Sequence, residues 1–159
     1  MANFADIANK KAAEVEKPPL CPIGDYVMMV VNDPQPVAKS SDKGNFEIVD
    51  FEFQGVIALD TVDQDEMKAF GKPAGVRVRH SFVFNTDPDE EANFDRTLYN
   101  MTRFLVDVLK VGDDSMSVSQ LLGNAKGAKA QVDVGHRPDN RPGKENEIYP
   151  DCKKVLPLD

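Results

Sequence analysis

The chain contains no tryptophan, only two cysteines and two histidines, and no apolar run longer than a strand. Each scarcity removes a class of protein. A membrane-spanning helix needs roughly 18 or more apolar residues, and the longest candidate here runs only from Tyr26 to Val31. Cys21 and Cys152 stand near opposite ends of the chain, outside any C-x-x-C pattern. A disulfide-stapled secreted scaffold is therefore not expected, nor is a dithiol redox motif. Two reduced thiols are expected, and whether they adjoin is left open. The start, Met-Ala-Asn-Phe-Ala-Asp, lacks the basic and then apolar segments of a secretory signal, so a cytoplasmic protein is expected.

Catalytic signatures are missing as well. The phosphate loop G-x-x-x-x-G-K-[ST], the dinucleotide fingerprint G-x-G-x-x-G, the elbow G-x-S-x-G and the zinc helix H-E-x-x-H do not occur. The expectation is a protein that is not an enzyme and uses no cofactor. Cys21, His80, His136 and Cys152 could supply a zinc tetrad by count, yet no two of them have short ligand spacing. Asp60, Asp63, Asp65 and Glu66 lack the order of a calcium loop. No metal is expected. His80 is read as a core histidine satisfied by a backbone carbonyl, and His136 as part of a basic loop.

Positive charge is also scarce. Nineteen Lys and Arg stand against twenty-seven Asp and Glu, for a net charge of −8. A surface that attracts phosphate everywhere is excluded, because counterion release needs cations facing the backbone. A local positive groove is not excluded, so the distribution of charge becomes the question.

What is present is one core's worth of apolar residues, 41% of the chain with nine Phe, in a length that suits one domain. Residues 1–17 read as an arm or short helix, with Phe4, Ile7, Ala8, Ala12 and Val15 at helical spacing, and 18–159 as a single domain. Strands are expected at 25–32, 45–59, 75–84, 126–136 and 145–156, with 33–44 as a polar loop and 60–74 as an acidic connection. In the third strand Val76, Val78, His80, Phe82 and Phe84 share a core face, leaving Arg77, Arg79, Ser81 and Val83 outside. Asp87 as N-cap, Pro88 at the first position and Glu90 closing a capping box start one long helix. Gly112 is expected to stop it, and a short helix follows at 115–124. This is a mainly β domain with one long helix.

The cations fall on strands and hairpin loops: Lys39 and Lys43 before the second strand, Arg77 and Arg79 on the third, Lys129 on the fourth, and Arg137, Arg141 and Lys144 in the loop after it. Phe46 and Tyr149 lie beside those loops. Cations that track phosphates, interleaved with rings that stack on bases, suit a single nucleic-acid strand. These ten residues are the candidate site, although strand phenylalanines are more often core.

Four segments, in order, resemble phage-encoded single-stranded-DNA-binding proteins of OB-fold type: Pro18-Pro-Leu-Cys-Pro-Ile-Gly-Asp-Tyr26; Lys43-Gly-Asn-Phe-Glu-Ile-Val-Asp-Phe-Glu-Phe53; Leu98-Tyr-Asn-Met-Thr-Arg-Phe-Leu-Val-Asp-Val-Leu-Lys-Val-Gly112 with Leu121-Leu-Gly123; and Asn146-Glu-Ile148 with Lys153-Lys-Val-Leu-Pro157. They span most of 18–157, and the acidic stretch 60–73 looks like an insertion. The resemblance implies an OB-like five-stranded barrel. It also implies a role in phage DNA replication and recombination in the host cytoplasm, coating single-stranded DNA without sequence specificity. Homo-oligomers and replication or recombination proteins are partners that this reading admits. The competing expectation is a virion structural or protein-interaction module that binds no nucleic acid.

Overall fold

The computed structural model describes residues 3–14, 19–144 and 147–158. Val15 of the expected arm, Pro18 at the start of the expected domain, and Glu145 and Asn146 of the expected last strand lie outside the described residues. The architecture is mostly β, a single antiparallel sheet of six strands with a few helices. The strands are β1 (Gly24–Val30), β2 (Pro36–Ser41), β3 (Gly44–Ala58), β4 (Arg77–Asn85), β5 (Lys129–Pro138) and β6 (Ile148–Leu156). The helices are α1 (Phe4–Ile7), α2 (Gln64–Phe70), α3 (Glu91–Arg103) and α4 (Val118–Gly123).

Six strands replace the expected five because β2 forms where a loop was expected. All six of its residues are exposed, so burial leaves no periodic signal in the sequence. Pro36 opens it, a position that an edge strand tolerates. β1 and β2 lie end to end along one edge of β3: β1 pairs with Phe53–Ala58 and β2 with Gly44–Val49. Between them Asn32 stands in for the ladder, accepting from the Glu52 N–H at 2.9 Å and donating to the Asp50 carbonyl at 2.9 Å. β4 pairs with Phe46–Gln54 on the opposite edge of β3. β5 returns beside β1, and β6 forms a hairpin with it.

The apolar excess of β3 is explained by a bulge. Val27 pairs with Ile57 and Met28 with Gly55, leaving Val56 as the extra residue. Gly55 also admits the segment after α2, for a Cβ there would stand 2.1 Å from the Pro73 carbonyl oxygen.

The sheet's inner face carries Tyr26, Met28, Val30, Val49, Phe51, Phe53, Val78, Ala130, Val132 and Val134, all buried. Met101, Phe104, Leu105, Leu109 and Leu121 belong to the same cluster. Tyr26 donates to the Pro22 carbonyl at 2.6 Å, and burial pushes its phenol up to about 12.

Both expected ends of the long helix differ in detail. Asp87 makes no capping bond; its carboxylate instead accepts from Asn45 at 3.2 Å, and Pro88–Glu90 forms a 3₁₀ turn ahead of α3. At the far end the helix widens into a π turn, Phe104–Val108, with the Leu109 N–H on the Phe104 carbonyl. The left-handed residue is Lys110, not Gly112. Gly112 instead leaves room for the ends of the Met116 and Leu121 side chains, which a Cβ there would displace.

Helix α1 and the 3₁₀ turn Ala12–Glu14 bury nothing. Among the described residues no helix is long and apolar enough to cross a membrane.

Candidate nucleic-acid interface

Strand alternation sorts the candidate residues. β3 turns Val49, Phe51 and Phe53 to the core, so Phe46, Ile48, Asp50, Glu52 and Gln54 occupy the outer face. The register then sets Asn85 beside Phe46, Val83 beside Ile48, Ser81 beside Asp50, Arg79 beside Glu52 and Arg77 beside Gln54. On the opposite flank Lys39 lies beside Phe46 and Val37 beside Ile48. One end of this face is therefore apolar with Lys39, and Lys43 sits in the adjoining turn. The other end carries the two arginines. Eight residues of strand separate Phe46 from Gln54, roughly 27 Å.

β4 and β6 approach one another without forming a ladder. A cleft of about 530 Å³ occupies the seam, lined in part by Arg77, Arg79, His80, Arg137, Asp151 and Cys152. Arg137 also borders a second hollow with Arg141 and Tyr149. The structure thus gathers Arg77, Arg79, Arg137, Arg141 and Tyr149 along one continuous margin. Lys144 is exposed in the same β5–β6 loop, and Arg137 itself belongs to β5 rather than to the loop.

Lys129 does not join this group. It lies in register with Met29, which is in register with Gln54 and so with Arg77, across the width of β1 and β3.

Not all of these cations are free to meet phosphate. Arg141 grips Asp139 with its Nε at 3.0 and 3.1 Å and its Nη2 at 2.7 Å, which holds that carboxyl well below the usual range. Tyr149 lines the same hollow as this pair. Arg79 reaches Asp50 at 3.7 Å, and Arg77 donates to Gln54 at 3.2 Å. Among the described residues Lys39, Lys43, Lys129, Arg137 and Lys144 have no acidic partner. Sequence reading missed Ile48, Val37 and Val83, which share the face with Phe46; the alternation of β3 and β4 signalled the first and last, but Val37 was hidden in the supposed loop.

His136 lies on β5, not in a basic loop, and its Nε2 is 2.7 Å from the Cys21 carbonyl. His80 has no carbonyl partner among the described residues; the rings of Phe82 and Phe104, each centred 5.0 Å away, surround it. Cys21 and Cys152 are both free thiols, and burial, with Asp151 and Asp133 nearby, pushes Cys152 up to about 11. Among the described residues no group of His, Cys, Asp or Glu is placed to hold a metal ion.

Burial holds His80 below its ordinary 6.5. The unfolded chain therefore takes up a proton, as pH falls through that value, that the folded chain resists. Stability from this residue is present above about pH 6.5 and is lost on acidification. Melting temperature is expected to fall between about pH 7 and pH 5, and His80→Phe should remove part of that slope. An identical slope in the variant would contradict the assignment.

Comparison of the chain with protein-family models and with curated proteins finds no match.

Proposed function

We propose that the chain binds single-stranded DNA on an OB-type barrel, coating it without sequence specificity as part of a phage replication or recombination system. Taken as one bent strand, β1 and β2 give a five-strand count. The chain order is then three meandering strands, a helix, and a hairpin returning to the first strand. In OB folds oligonucleotides lie on the face of the second and third strands, between the loops that join strands one to two and four to five. The counterparts here are β3 and β4, the hairpin carrying Lys39 and Lys43, and the loop carrying Arg141 and Lys144.

The observation that carries the reading is the mixture on that face, where Lys39, Arg77 and Arg79 share the sheet surface with Phe46, Ile48 and Val83, and Arg137 lines the cleft at the arginine end. A duplex hides its bases and could use only the cations. A single strand could use both. The competing module for protein contacts draws support from Asp50, Glu52 and the internally paired Arg141, and it predicts assembly without nucleic acid.

The test is Phe46→Ala. Loss of a stacking ring should weaken single-strand binding by about 1–3 kcal/mol, with the salt dependence unchanged because no cation is lost. Phe46 is half-buried at an exposed hairpin, so folding should survive, which a melting curve checks. Unaltered affinity would remove Phe46 from the site.

A further inference from the structure

The seam between β4 and β6 holds a feature that phosphate binding does not explain. Glu52 lines it beside Arg77, Arg79 and Arg137; its side chain is exposed, and its carboxylate has no ion-pair or hydrogen-bond partner among the described residues, so it is free to meet a ligand. Its strand neighbour Arg79 turns to Asp50 instead, Ser81 donates to the same Asp50, and Arg77 is held by Gln54. The other carboxylate of the seam, Asp151, is occupied by Lys153 at 2.9 Å.

The main chain of Glu52 is fixed on both sides. Its N–H donates to Asn32 and its carbonyl accepts from the Val31 N–H at 2.9 Å. The seam's apolar lining comes from Val31, Phe53, Val78 and Pro150. Polar and charged side chains form most of the wall, and these apolar residues leave a smaller patch on which the face of a flat ring can rest while its edge meets the polar groups.

We infer that this seam reads bases, with the Glu52 carboxylate accepting a hydrogen bond from an exocyclic amino group, so that cytosine is held in preference to thymine. The inference rests on the single-strand reading above. A phosphate would be repelled by Glu52 and so stays at the arginine rim, leaving the base to enter. An ionised carboxylate only accepts. Cytosine offers its N4 amino donor, whereas thymine presents the O4 acceptor at the same place. The result is a composition bias laid over a contact that is otherwise indifferent to sequence.

The experiment measures dissociation constants of labelled oligo-dC and oligo-dT of equal length, for the full chain and for Glu52→Gln. The unaltered protein should hold oligo-dC between about twofold and tenfold more tightly, the effect of one net hydrogen bond. In Glu52→Gln the oligo-dT affinity should rise and the ratio fall to about one, because an amide both donates and accepts. Equal affinities in the unaltered protein, or an unchanged ratio in the variant, would overturn the reading of Glu52 while leaving strand binding intact. Failure to bind either oligonucleotide would overturn the single-strand reading itself, and this inference with it.

Discussion

Phe51→Ala is expected to lower the melting temperature by between about 6 and 20 °C. Phe51 is fully buried on β3, and its ring meets Phe104 at 5.0 Å and Phe82 at 5.8 Å, both edge-on. It joins the sheet to the turn that ends the long helix. Truncating a buried Phe costs about 3–5 kcal/mol through lost transfer energy and the cavity left behind. For a chain of this size each kcal/mol moves the midpoint by about 2–4 °C. Against a total stability of about 5–15 kcal/mol, the variant retains little reserve. Val83→Ala, on the exposed face of the neighbouring strand, should change stability by less than about 0.5 kcal/mol. Similar losses for the two variants would contradict the assignment of inner and outer faces.

Replacing Arg77, Arg79 and Arg137 together by alanine is expected to weaken single-strand binding about a hundredfold. Each guanidinium is assigned about 1 kcal/mol, below the usual range for charged hydrogen bonds, because Arg77 and Arg79 must first leave Gln54 and Asp50. The more specific readout is salt. Each phosphate contact contributes about 0.7 to the slope of log K against log salt for a single strand, so the slope should fall by about two. Lys129→Ala serves as the comparison, since β1 and β3 separate that residue from Arg77 and the length of β5 separates it from Arg137. A slope unchanged in the triple variant would take the seam out of the binding site.

Much of the sheet was legible because burial alternates with strand period. Val78 and Phe84 turned inward and Arg77, Arg79 and Val83 outward, as the spacing of β4 required, and Ala130, Val132 and Val134 did the same on β5. What escaped the sequence was structure that has no buried face. β2 is exposed throughout, and only its pairing with β3 makes it a strand. The helix ends escaped for a related reason, because side chains from distant elements decided them. Asp87 abandoned its capping role for Asn45 on β3, and the π turn moved the stop to Lys110.

The candidate site divides along the same line. Strand cations could be assigned to a face from alternation alone. Loop cations could not, and neither could their partners. Arg141 and Asp139 are two residues apart and lock together, a local pairing that a count of positive residues overlooks. Arg137 became the better candidate by position, being shared between the seam and the adjoining hollow. Carboxylates at Asp50, Asp139 and Asp151 each hold a neighbouring cation, pairings that the sequence does not disclose.

The most direct test of strand binding is fluorescence anisotropy of a labelled, mixed-sequence single-stranded DNA titrated with the full chain at increasing salt, with unlabelled duplex as competitor. Tight binding that weakens steeply with salt and that duplex fails to displace is the predicted result. No binding at low salt, or equal displacement by duplex, would contradict it.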